Sequence, residues 1–100
     1  MISRNFKELK PVIQSQVFYS GMVQGVGFRY TILRFAKEMG IKGWVRNLED
    51  GRVQILAQGP SEEVEAFLKQ VDQHFVVNIT KKEQTDRNPQ RHFKDFQITF

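Results

Sequence analysis

The chain has 100 residues, of which 40 % are hydrophobic and nine are Phe, and it carries a net charge of +4. A length of this order suits one domain that buries roughly 60–65 % of its unfolded surface around a single core. No apolar run is long enough to span a membrane, residues 1–16 lack the apolar stretch of a secretory signal, and the absence of cysteine excludes disulfide frameworks, thiolate zinc sites and a cysteine nucleophile. The positive charge favours anionic partners in general. Its spread along the chain argues against nucleic acid, for which a clustered basic stripe is expected. The expected compartment is the cytoplasm, and no membrane partner is expected.

In chain order, residues 1–13 combine mixed polarity and Pro11 with no stable period, and are expected to form an N-terminal extension to a domain over 14–100. A strand is predicted from Val17, where Val17, Phe18 and Tyr19 supply β-branched and aromatic residues. Beyond a glycine-rich interruption, Phe28, Ile32, Phe35, Ala36 and Met39 recur on one helical face, and Gly40 is placed to end that helix. "IKGWVRN" and "RVQILAQ" then flank Asp50-Gly51, a tight-hairpin signal. A second helix is predicted from Pro60 and Ser61, with Glu62 and Glu63 in its first turn and Val64, Phe67, Leu68 and Val71 as its buried stripe. Phe75, Val77 and Ile79 alternate as in a strand, residues 82–91 read as a polar loop, and Phe96, Ile98 and Phe100 alternate as in a closing strand. The order β-α-β-β-α-β, with room for an extra strand at the end, describes a ferredoxin-like α+β sandwich: an antiparallel sheet with two helices on one face. That fold determines no chemistry by itself.

The chemistry concentrates in "GMVQGVGFR", residues 21–29. Glycines after a strand let backbone N–H groups turn into one concavity, and the unsatisfied N–H groups of the following helix face the same space. Arg29 adds a planar, permanently charged fork suited to phosphate oxygens. The two helix starts differ in sign. Glu62 and Glu63 follow the macrodipole, whereas Arg29 opposes it by some tenths of a kcal/mol unless an anion lies between the arginine and the helix end. Taken alone, the glycine spacing fits a structural turn with a solvated arginine better than it fits an anion site, and it matches neither the dinucleotide nor the Walker pattern. Elsewhere, His74 and His92 have no metal-ligand spacing and read as surface or structural. Glu49 and Asp50 read as solvated turn residues. Asn47, at a strand end, reads first as an ordinary turn asparagine, although an amide there can also orient a water through both donor and acceptor.

"GMVQGVGFR", "GWVRN" with Asn47 eighteen residues after Arg29, "DGRVQILAQGP" and the closing "DFQI" together resemble the acylphosphatase family over residues 17–100. The resemblance implies metal-free, cofactor-free hydrolysis of the carboxyl-phosphate bond of an acyl phosphate. It implies that the backbone of Gln24, Gly25, Val26, Gly27 and Phe28 cradles the phosphate, that Arg29 clamps it, and that Asn47 orients the attacking water. Inorganic phosphate or sulfate would compete, and a monomer is the simplest expectation. The chain departs from the family pattern at Met22, where family members usually carry arginine, and in the shorter segment after the second helix, which lacks Gly and Pro. Similar domains also begin a large hydrogenase-maturation protein, but no cysteine-rich zinc segment follows here, so a standalone protein is expected. The alternatives are a non-catalytic anion-binding module and a ferredoxin-like nucleic-acid binder, the latter requiring exposed aromatics on the central strands.

Overall fold

In the computed structural model, which describes residues 11–100, the chain runs β1 (Val12–Gly21), α1 (Phe28–Met39), β2 (Lys42–Asn47), β3 (Val53–Pro60), α2 (Ser61–His74), β4 (Ile79–Arg87) and β5 (Phe96–Ile98). The strands form one sheet in the order β4-β1-β3-β2-β5. The first four pair antiparallel, as a ferredoxin-like sandwich requires, whereas β5 joins β2 in parallel. The sheet is therefore mixed, which corrects the purely antiparallel expectation. The closing segment emerges from a loop that crosses the sheet and so enters its far edge in the direction of β2.

Strand alternation separates two faces. Val17 and Tyr19 of β1, Val45 of β2, and Val53, Ile55 and Ala57 of β3 are buried beneath the helices. α2 lies over β1 and β3, and α1 over β2 and β5. The helices contribute the stripes their periodicity predicts: Phe28, Ile32, Phe35 and Ala36 from α1, and Val64, Phe67, Leu68 and Val71 from α2. Gly40 ends α1 as expected, with Ile41 N donating to Ala36 O at 2.9 Å.

Three boundaries differ from the sequence reading. β1 begins at Val12 rather than Val17, because Val12 and Ile13 pair with Pro60 and Gly59; residues 1–10 of the expected extension lie outside the described residues. The alternation at Phe75, Val77 and Ile79 is a turn for its first part. Phe75 caps α2 through its N–H to Val71 O, buries its ring against Phe28 at 4.3 Å, and leaves Val77 exposed. Residues 82–87, read as loop, continue β4. The helices do not cover that edge, so both of its faces stay wet and no apolar alternation is needed. Its charges suit an unpaired sheet edge.

Candidate active site

The loop between β1 and α1 is anchored at both ends and open between them. At its start, Asn78 holds the Met22 backbone twice: Met22 N donates to Asn78 O (2.9 Å) and Asn78 Nδ2 donates to Met22 O (3.1 Å). The Met22 side chain is largely exposed, so this departure from the family pattern disturbs no packing. Val23 is buried, and Phe28 fills the core between Tyr19 and Phe75, with ring centroids at 5.6 and 4.3 Å. These two apolar anchors leave the backbone between them at the surface. Gly25 and Gly27 adopt φ of +79° and +78°, left-handed values that strain any residue with a Cβ.

Among the described residues, no backbone N–H from residues 24–30 donates to an acceptor. Residues 28–30 are the first turn of α1, where such groups carry the positive end of the macrodipole. No acidic side chain lies in that turn, and Gly27 occupies the N-cap position without a side-chain bond. Gly25, Gly27, Phe28, Arg29 and Tyr30 line one cavity of about 320 Å³, together with Val23. Arg29 is partly buried, and its guanidinium lies 5.2 Å from the Phe100 ring centroid, a cation–π distance. It forms no ion pair with a described carboxylate. A run of donors and an arginine without partners among the described residues, at a positive helix end, together suit an anion with several oxygens.

Asn47 ends β2 opposite Val53, on the helix-facing side that it shares with Val45. Its Oδ1 is buried and has no hydrogen-bond partner among the described residues. A buried acceptor left so costs free energy unless something donates to it. Asn47 does not line the loop cavity; the connection runs through Gln24, whose side-chain Nε2 donates to Leu48 O (2.8 Å) and Arg52 O (2.9 Å). The other candidates are structural. Asp50 accepts from the backbone N–H and Nε of Arg52 at 3.1 and 2.9 Å, and the first of these contacts leads in holding its carboxyl below the usual range. His74 packs on Phe35 and Phe75. A concavity of about 600 Å³ between Trp44, Arg46 and the segment from Arg91 to Asp95 contains none of the expected site residues.

Comparison with known proteins gives this geometry its context. The acylphosphatase family model matches residues 15–98. The chain belongs to the acylphosphatase family. It is 38 % identical to the acylphosphatase of Bacillus pumilus over 88 residues, which take in 87 % of this chain and 98 % of that protein. The match to the Bifidobacterium longum acylphosphatase is 43 % identical over 60 residues and spans 62 % of that protein. The crystal structure of acylphosphatase from Bacillus subtilis superposes with a TM-score of 0.81 at 32 % identity, covering 88 % of this chain and 99 % of the other. HypF from T. kodakarensis contains a similar fold, with a TM-score of 0.74 and 30 % identity over 86 % of this chain and 12 % of that one. The resemblance read from "GMVQGVGFR" and "GWVRN" is borne out. The family's activity, hydrolysis of acyl phosphates, is the function of this chain.

Two residues of the site escaped sequence reasoning. The sequence pattern gives Gln24 a backbone role only, because its side chain bonds to a hairpin distant in sequence. Phe100 was read as part of a buried alternation, but β5 ends at Ile98 and the ring lies exposed against Arg29.

Proposed function

We propose that the backbone of Gln24, Gly25, Val26, Gly27 and Phe28 binds the phosphoryl group of the acyl phosphate, that Arg29 clamps its oxygens, and that Asn47 orients the attacking water. The carrying observation is the run of backbone N–H groups over residues 24–30 without acceptors among the described residues, at a helix end that carries Arg29 and no acid in its first turn. Such donors need no reorganisation as charge shifts onto the equatorial oxygens, which is where phosphoryl transfer needs stabilisation. The buried Asn47 Oδ1, without a hydrogen-bond partner among the described residues, supports the second role: it can accept a hydrogen bond from a water while Nδ2 remains a donor.

In the reaction the water oxygen forms a bond to phosphorus as the bond from phosphorus to the acyl oxygen breaks. The electron pair leaves with the carboxylate, and the water's proton passes to a phosphate oxygen. The carboxylate is a good leaving group, so no strong general acid is needed, and the substrate phosphate serves as base. Inorganic phosphate and sulfate are expected to compete for the same cradle, and the enzyme is expected to act as a cytoplasmic monomer.

The test is hydrolysis of an aryl acyl phosphate in the presence of a chelator. Activity should survive chelation, disappear in Arg29→Ala and fall strongly in Asn47→Ala. Full activity in Arg29→Ala would overturn the assignment.

A further inference from the structure

We propose that the Gln24 side chain is a positioning residue that sets the distance between the phosphate cradle and Asn47, and thereby the placement of the attacking water. This rests on the roles proposed above for the cradle and for Asn47.

Both hydrogens of the Gln24 amide are committed to the β2–β3 hairpin, one to Leu48 O at 2.8 Å and one to Arg52 O at 2.9 Å. These carbonyls belong to the residues immediately outside the Asn47–Val53 pair that closes the ladder. Gln24 therefore holds the hairpin one residue beyond Asn47. It also stands at the root of the cradle, between the buried anchor Val23 and the left-handed Gly25. Among the described residues, these are the side-chain hydrogen bonds that join the loop to the hairpin.

Two further facts separate this link from simple fold stabilisation. Each carbonyl already accepts a backbone bond, Leu48 O from Gly51 N (3.2 Å) and Arg52 O from Leu48 N (2.8 Å). The hairpin closes without Gln24, and removing the amide leaves neither carbonyl unsatisfied. Asn47, in turn, has a buried Oδ1 with no hydrogen-bond partner among the described residues. Among the described residues no hydrogen bond on that oxygen fixes the side chain, so its placement depends on the hairpin backbone that Gln24 holds. A displacement of about 1 Å between reacting groups costs about 10²-fold in rate, so a link of this kind acts on turnover more than on affinity.

Gln24→Met keeps the length of the side chain and removes both donors; Gln24→Asn keeps an amide too short to reach both carbonyls. For an aryl acyl phosphate, each is expected to lower kcat by about 10- to 100-fold, with the inhibition constant of inorganic phosphate within about threefold of wild type. In an Asn47→Ala background the same Gln24 substitutions should cost less than about threefold, because the residue they displace is gone. An equal loss in both backgrounds overturns the proposal, as does a phosphate inhibition constant that rises in step with the fall in kcat, which would make Gln24 part of the cradle instead. The proposed function fails separately if Asn47→Ala alone retains full kcat, an outcome that also removes the basis for the link.

Discussion

The two helices begin in opposite ways. α2 starts after Pro60 with Glu62 and Glu63 in its first turn, the arrangement its macrodipole favours. α1 starts after a left-handed Gly27, has no acid in its first turn, and carries Arg29 there. The helices lie over the same sheet and bury comparable apolar stripes, so packing does not account for the difference. One start is built for stability. The other leaves donors and a cation without partners among the described residues, as the proposed dianion site requires, and the fold tolerates the small electrostatic cost.

Making α1 resemble α2 should separate these two properties most sharply. Arg29→Glu is expected to abolish hydrolysis, with kcat/KM down by at least about 10³-fold, since clamps of this type contribute that much. The same change should leave the thermal midpoint unchanged or slightly higher, because an acid in the first turn is worth about 0.3–1 kcal/mol there. Activity assays and melting curves on one preparation test both halves. Gly27→Ala comes next: a Cβ meets no atom within 4 Å, so the effect is backbone strain at φ +78°. A loss of about 1–2 kcal/mol in stability and weaker phosphate inhibition are expected from denaturant titration and steady-state kinetics.

Tyr19 supplies a smaller contrast, a polar network away from the loop. Its hydroxyl donates to Asp72 at 2.7 Å, and Lys82 reaches the other Asp72 oxygen at 2.8 Å. Burial, and then the bond to Asp72, raise the Tyr19 hydroxyl far above its ordinary value. The unfolded chain loses that proton near pH 10 while the folded chain keeps it. The stabilisation is therefore present below about pH 10 and is lost as pH rises above it, by about 1.4 kcal/mol per pH unit for one proton. Tyr19→Phe should cost about 1 kcal/mol at neutral pH and reduce the alkaline slope, as read from denaturation midpoints between pH 8 and 11. The smallest effect is expected when Asp50, His74 and His92 are replaced with Asn, Gln and Gln. Hydrolysis should stay within about threefold of wild type, since no side-chain base is required. A large loss in assays across pH 5–8 would return one of them to the mechanism.

Much of this was legible in the sequence, for identifiable reasons. Each helix stripe follows from 3.6-residue periodicity, and the Asp50-Gly51 turn and the Gly40 stop follow from local backbone preferences. The family was readable from residues 21–29 and Asn47 because its motifs keep particular residue types at fixed spacing, and the roles proposed for those residues follow from that resemblance. β4 was not readable: an edge strand outside the helical cover has no apolar face to alternate. The turn at Phe75 was misread because one buried aromatic beside two valines imitates a strand. The Gln24 bonds and the position of Phe100 against Arg29 are long-range contacts, and nothing in the local pattern encodes them.

Titration with inorganic phosphate followed by backbone amide NMR examines the contrast between the two helix starts most directly. Shifts should appear in the amides of residues 24–30, be lost in Arg29→Ala, and be absent from Ser61, Glu62, Glu63 and Val64. Equal shifts at both helix starts, or saturable binding that leaves residues 24–30 unmoved, would contradict the assignment of the loop as the phosphate cradle.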